Sequence, residues 1–267
     1  MTELVDCHTH TSHSDGSATV EQNVRRAAEL GIRTICCTDH LTLPVEMDPQ
    51  CEVSVPEVDL PAYARDIELA RAEFPQVDVV FGFEADYYPG CEPNIARWTR
   101  GATFVLGSVH GIDGRWIDDL SDLSYWDEMG TDYIWERYFE VWAQACFSRF
   151  GFSSMAHPDL VALLGRRPGD AARRRLYEFA AEAARESDVR VEVNTAGLIK
   201  PVGAMYPDPE LLALFSRAGV PLTVGSDAHV VTRVGANIPE AYALAHDAGY
   251  RGIDVPTSDG GWRRVEL

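Results

Sequence analysis

The chain has 267 residues, 46% of them hydrophobic and 24% charged, with 42 acidic side chains against 23 basic ones. This is the composition of a folded globular protein long enough to bury a sizeable core, and it excludes collagen-like, low-complexity and mostly disordered chains. The net charge of −19 repels phosphate backbones, so neither nucleic acid nor an anionic membrane is an expected partner.

Short β-branched runs alternate with longer helical patterns from end to end. A strand is predicted over Leu4–Cys7, then a helix from Thr19 to Leu30 opening on a capping box, Thr19-x-x-Gln22. Thr34–Cys37 is the second strand. It is followed by a Pro-containing loop, Leu41 to Val58, and a helix from Asp59 to Phe74 with Asp59 as N-cap and Pro61 in its first turn. Val77–Phe83 and Thr103–Ser108 flank a short helix, Asn94 to Arg100. A second long loop, Gly111 to Gly130, precedes the helix Thr131 to Phe150, whose Ile134, Tyr138, Val141, Trp142 and Ala145 recur at helical spacing. Phe152–Ala156, Arg190–Val193 and Pro221–Val224 are the last strands, and Asp170 to Ser187, Pro209 to Ala218 and Pro239 to Ala248 the last helices.

Seven strand–helix units in strict alternation predict a parallel sheet with helical crossovers. Seven units in this length suit a closed barrel better than an open sheet, and no G-x-G-x-x-G follows the first strand. No linker divides the chain, so residues 1–267 read as one α/β domain. No uncharged apolar run approaches the ~20 residues of a membrane span. The N-terminal residues lack the basic-then-apolar pattern of a secretory signal. The six cysteines, Cys7, Cys36, Cys37, Cys51, Cys91 and Cys146, form no C-x-x-C pair; they read as free, mostly buried thiols in a reducing, cytoplasmic setting.

The C-terminal ends of these strands carry the chemistry. In order they present His8 and His10 with His13 and Asp15 beyond, Asp39 and His40, Glu84 and Asp86, His110, His157, Glu192 and Asn194, and Asp227 and His229. Six of the eight histidines therefore fall at the end of the barrel where barrel enzymes build their sites; His246 lies on a helix and His13 in a loop. Taken singly, a strand-end histidine is more often a satisfied polar residue than a ligand, and Asp39 and Glu192 read equally as caps or as acceptors behind ligands. Taken together, so many imidazoles and carboxylates on one rim would be costly without cations. His8 and His10, two apart on a strand, share a face, and Asp227 and His229 have the same spacing. Imidazole and carboxylate donors without thiolate suit zinc, manganese or iron. Their number exceeds the need of one ion, which points to two or three cations bridged by a carboxylate such as Glu84.

The stretch Asp6-Cys-His8-Thr-His10-Thr-Ser-His13-Ser-Asp15-Gly16 resembles the first motif of the polymerase-and-histidinol-phosphatase (PHP) superfamily, and Thr38-Asp39-His40, Gly107-Ser-Val-His110 and Gly225-Ser-Asp227-Ala-His229 follow in the order of that superfamily. Three further stretches resemble its histidinol-phosphate phosphatase branch: Tyr87-Tyr-Pro-Gly90, Gly107 through Gly114, and Glu192-Val-Asn194-Thr-Ala-Gly197-Leu198. Lys200-Pro-Val-Gly203 and Tyr206-Pro207 extend the last. The resemblance implies a distorted (β/α)7 barrel, a single domain, holding three divalent ions. It implies His8, His10, Glu84 and Asp227 around the first, Asp15, His40 and His229 around the second, and Glu84, His110 and His157 around the third, with no ligand role for His13. It further implies hydrolysis of L-histidinol phosphate, a reaction of histidine biosynthesis, through a hydroxide shared by two ions. Asp227 or His229 would manage the proton.

One departure stands out. Where the branch often carries an arginine suited to phosphate, this chain has Ile199, followed by Lys200. Lys200, Arg166, Arg167 and Arg233 are the candidate phosphate-binding residues, each read against ordinary surface charge. The acidic run from Asp113 to Asp127 reads either as a solvated loop or as a surface for a cationic substrate amine. The expected partner is a small phosphate ester. Rival readings are the same chemistry on another phosphate ester or nucleotide, a nuclease or proofreading module, which the acidic surface disfavours, and a metal-binding domain without turnover.

Overall fold

The computed structural model describes every residue except Met1, Thr42 and Val45; the last two fall in the first of the two long loops. Twelve strands and eight α-helices are assigned among the described residues. The strands of the main sheet are β1 (Leu4–Thr9), β2 (Ile32–Cys37), β4 (Asp78–Asp86), β5 (Phe104–Ser108), β8 (Ser154–Met155), β9 (Arg190–Asn194) and β10 (Leu222–Gly225), with the two-residue β3 (His40–Leu41) alongside β4. They pair in parallel and in chain order, each beside the next.

The sheet then closes on itself. Beyond β10, Ala228 bridges Thr9 in parallel, the Asp227 amide donates to the His8 carbonyl at 2.8 Å, and the His10 amide to that of Ala228 at 2.9 Å. Asp6, fully buried, braces this seam by accepting from the Ser226 amide (2.8 Å), the Ser226 hydroxyl (2.6 Å) and the Gly235 amide (2.8 Å). The result is a seven-stranded, nearly closed parallel barrel ringed by helices, as expected. Its interior is narrow: a Cβ at Gly82 would lie 2.6 Å from the Phe104 carbonyl oxygen, and one at Gly225 would collide with His8 Cβ and Glu192 Oε1.

The helices α1 (Val20–Leu30), α2 (Leu60–Glu73), α3 (Glu92–Trp98), α4 (Ser124–Met129), α5 (Thr131–Cys146), α6 (Asp170–Ser187), α7 (Pro209–Ala218) and α8 (Ile238–Asp247) cover the outside. The α1 capping box forms as predicted, with Thr19 and Gln22 each accepting from the other's backbone amide. Asp59 precedes α2 but makes no capping bond, because the residues Glu57–Asp59 wind into a 3-10 turn that continues into the helix. In α5 the predicted stripe Ile134, Tyr138, Val141, Trp142 and Ala145 is buried, with Trp142 meeting Phe215 of α7; Trp135 and Phe139, outside that stripe, are buried too and meet Tyr177 of α6.

Two elements differ from the sequence expectation. The loop from Gly111 to Gly130 contains a small hairpin, β6 (Gly111–Ile112) with β7 (Arg115–Trp116), and then α4. The chain ends in an antiparallel hairpin, β11 (Gly252–Pro256) with β12 (Trp262–Glu266), which alternation around Ser258-Asp-Gly-Gly would have signalled. Among the described residues no helix is long and apolar enough to cross a membrane.

Candidate metal centre

Parallel strands in a closed barrel all deliver their C-terminal ends to one rim, so residues remote in sequence converge there. His8 and His10 leave β1, His40 opens β3, Glu84 and Asp86 finish β4, and His110 and His157 follow β5 and β8; Glu192 and Asn194 lie on β9, and Asp227 and His229 follow β10. His157 and Asp227 hold φ at +25° and +53°, a region that L-residues seldom adopt and that fold-imposed turns at functional sites often exploit.

Glu84 is the hub. Its Oε2 faces His8 Nε2 (3.1 Å), His10 Nε2 (3.4 Å) and His40 Nδ1 (3.3 Å), while Oε1 faces His157 Nε2 (2.8 Å) and His110 Nε2 (3.6 Å). Asp227 Oδ1 faces His10 Nε2 at 3.1 Å and His8 Nε2 at 3.6 Å, and its Oδ2 accepts from Asn194 at 3.2 Å. Asp15 Oδ2 meets His229 Nε2 at 3.2 Å and lies 3.9 Å from His40 Nε2.

Four overlapping groups have ligand atoms mutually within 4.8 Å: His8, His10 and Asp227; His10, Asp15, His40 and His229; Glu84, His110 and His157; and His40, Asp86 and His110. All nine residues that the resemblance implies as ligands are thus brought together. Asp86, a strand-end candidate that the resemblance leaves without a ligand role, joins the rim beside His110. His13 instead pairs with Asp66 at 3.0 Å, outside these groups.

Carboxylates behind the imidazoles fix their orientation. Glu192 accepts from His8 Nδ1 at 2.9 Å and from the His157 amide at 3.0 Å, and Asp86 takes His110 Nδ1 at 2.9 Å; each leaves the ring's Nε2 for the centre. Asp39 resolves to an organiser, accepting from the Thr11 amide and hydroxyl and from Ser14, which shapes the loop carrying Asp15.

The donor set fits divalent cations. His8 Nε2 and His10 Nε2 lie only 3.0 Å apart, and the buried Nδ1 atoms of His10 and His40 have no hydrogen-bond partner. Electrostatics agree. Burial opposes charge on His8 and His110, yet Glu192, Asp227 and Glu84 around the first, and Asp86 and Glu84 around the second, hold both well above the usual range. Burial likewise opposes charge on His229, but Asp15 and Asp227 raise it to about 9. His10, buried and beside His229 and His40, is pushed down to about 3. Burial would raise Glu84 and Asp227; the surrounding imidazoles outweigh it and hold both carboxylates ionised.

Above the cluster opens a cavity of about 450 Å³, lined by Asp15, Glu84, Asp227 and four of the imidazoles. Four further carboxylates line it, those of Asp48, Glu52, Asp118 and Asp119, and Lys200 is the one lysine or arginine among its described lining residues. Arg166 and Arg167 do not line it; they pair with Asp127 (2.9 Å) and Asp208 (2.6 Å). Arg233 is likewise outside the lining, and Ile199 is 64% exposed while its neighbour Lys200 reaches the cavity. Two wall residues that the reading of strand ends passed over are Asp118 and Tyr206, because neither follows a barrel strand.

A parallel barrel with this rim defines the class of molecule: residues 6–196 match the PHP domain family, and the chain belongs to that family. It is 29% identical over 264 residues to a Deinococcus radiodurans protein named "Probable histidinol-phosphatase", covering 95% of this chain and 96% of the relative. It is 24% identical to a histidinol-phosphatase of Lactococcus lactis subsp. lactis, covering 92% and 91% of the two chains. In three dimensions it is similar to a crystal structure of histidinol phosphate phosphatase from Lactococcus lactis subsp. lactis complexed with zinc, L-histidinol and phosphate. The TM-score is 0.81 at 23% identity, over 98% of this chain and 99% of that one.

Proposed function

We propose that this chain is a metal-dependent phosphomonoesterase that hydrolyses L-histidinol phosphate, with residues 1–267 acting as one phosphoesterase domain in the cytoplasm. The observation that carries the reading is Glu84, whose two oxygens face two different sets of imidazoles at the floor of the cavity. That is the arrangement of a bridging carboxylate between cations. Three ions fit the donor set, held by His8, His10, Glu84 and Asp227, by Asp15, His40 and His229, and by Glu84, His110 and His157, with zinc, manganese or iron suited to imidazole and carboxylate. The histidinol-phosphatase relatives, one of them complexed with zinc, histidinol and phosphate, support the substrate and the cofactor class. Buried thiols at Cys7, Cys36, Cys37, Cys91 and Cys146 support a reducing compartment.

Divalent cations held by these residues would supply Lewis-acid polarisation of the phosphoryl group and a water of lowered pKa. The protein's own groups supply the rest. Lys200 offers a point charge to the phosphate in place of an arginine fork. Proton transfer falls to Asp227 or His229, each acting while its ligating atom is free of a cation: Asp227 has one oxygen on the imidazoles and the other on Asn194, and His229 is 38% exposed beside the cavity. The acidic lining suits the cationic amine of an aminoalkyl phosphate and disfavours polyanionic nucleotides.

The test is a panel of histidinol phosphate, nucleoside monophosphates and single-stranded DNA, assayed with manganese or zinc and again after exhaustive chelation. The expected result is a kcat/KM for histidinol phosphate at least about 100-fold above the others, lost on chelation and restored by metal. Turnover that survives metal removal refutes the metal chemistry. Equal, feeble rates on every substrate favour a metal-binding domain without turnover.

A further inference from the structure

Tyr206 lies in the loop after β9, away from any barrel strand, yet its place is firmly set. Its amide donates to the Asn194 carbonyl at 2.9 Å and its carbonyl accepts from the Asn194 amide at 2.8 Å, an isolated antiparallel bridge at the end of β9. The ring stands edge-on to His157, centroids 6.3 Å apart. Gly197 makes room for it, since a Cβ there would lie 2.9 Å from Tyr206 Cε2 and 3.2 Å from Cζ. The bridge and the missing side chain together hold the ring beside His157, in the lining of the cavity.

The hydroxyl at the end of this ring is buried and has no hydrogen-bond partner. A buried, unpaired hydroxyl is unfavourable unless something arrives to accept from it. Tyr206 is 2% exposed, as deep as Glu84 at 1% and His157 at 2%, and all three line the same cavity. A group bound over Glu84 and His157 therefore shares its cavity with Tyr206. With an ordinary pKa of about 10, a phenol near neutral pH keeps its proton and is a donor. The lining is short of donors for an anion, with Lys200 the one lysine or arginine among its described residues.

We propose that the Tyr206 hydroxyl donates a hydrogen bond to an oxygen of the substrate's phosphoryl group, making Tyr206 a phosphate-recognition residue of this site. The assignment rests on the phosphoesterase reading and adds to it a specific donor. It explains how a pocket with Ile199 in place of an arginine gains a second fixed contact to phosphate beside Lys200.

The experiment compares wild type with Tyr206→Phe, both metal-loaded, for inorganic phosphate and for histidinol, each titrated by calorimetry. Metal content and thermal midpoint are measured in parallel. Phe retains the ring and removes only the hydroxyl. The expected result is phosphate binding weakened about 10-fold, histidinol binding unchanged, and the metal content of wild type retained. Equal phosphate affinity in the two proteins overturns the assignment of Tyr206. Loss of metal from the variant also overturns it, by showing the ring to be a structural support of the centre. Wild type that binds phosphate more tightly than the variant, yet does not hydrolyse histidinol phosphate, overturns the substrate reading alone. Wild type blind to phosphate overturns both.

Discussion

At the scale of single residues, the centre depends on a carboxylate that no other side chain can replace. Glu84 sits between two imidazole groups with both oxygens engaged, so removing its charge removes the attraction on each side at once. Glu84→Gln keeps the shape and loses that charge. Metal content should fall by at least one ion per chain, and turnover of histidinol phosphate by at least about 100-fold. Elemental analysis beside a phosphate-release assay reads both, and a variant with full metal content and full turnover would remove Glu84 from the bridging role. The carboxylates behind the rings work differently. Glu192 and Asp86 fix the faces that His8 and His110 present, one of many cases here in which a buried acid orients a base. Asp39, which sequence logic left open between cap and acceptor, is tied to Thr11 and Ser14 and so shapes a loop.

At the scale of elements, the barrel closes between its first and last strands, which meet through residues just beyond β10. Asp6 ties that join together from inside. Asp6→Ala would strand the Ser226 and Gly235 amides and the Ser226 hydroxyl in a buried setting. A loss of about 3 kcal/mol in urea unfolding of the metal-loaded protein is expected. The exposed α1 cap gives the contrast: Thr19→Ala should cost about 1 kcal/mol and leave turnover unchanged. An Asp6 variant no less stable than the Thr19 variant would mean that the seam is held by packing instead. The helices were readable because their spacing and caps are local. The β6–β7 hairpin and α4 were not, since two-residue strands and a six-residue helix carry too little periodicity to stand out from a loop.

For the molecule as a whole, protons and cations compete for one set of imidazoles. His8 and His110 lie well above the usual histidine range and His229 at about 9, so at pH 7 all three are protonated before a cation arrives. Metal binding must expel those protons, and apparent affinity should rise between pH 6 and about 9. Calorimetry in buffers of different ionisation enthalpy would register the released protons, and affinity independent of pH would contradict the argument. Stability has the matching sign. A raised histidine pKa favours the folded form below about 6.5, and that contribution is lost as pH rises through about 9. Chelated protein should therefore lose thermal stability across that interval, while metal-loaded protein should not.

Alternation of strand and helix patterns, short motifs around His8, His40, His110 and His229, and an acidic composition can all be read along the chain, because each is a local property of a few neighbouring residues. From them follow the barrel, the family and the set of side chains at its rim. The three-dimensional fold alone decided which of those side chains meet: that both oxygens of Glu84 are shared, that Asp86 stands among the candidate ligands, that Arg166 and Arg167 turn to acidic partners outside the cavity, and that Tyr206 joins its lining. The reason is geometric. Strand ends are ordered by sequence, but distances across a closed barrel, and the loops that fold over its mouth, are set only when the first strand meets the last.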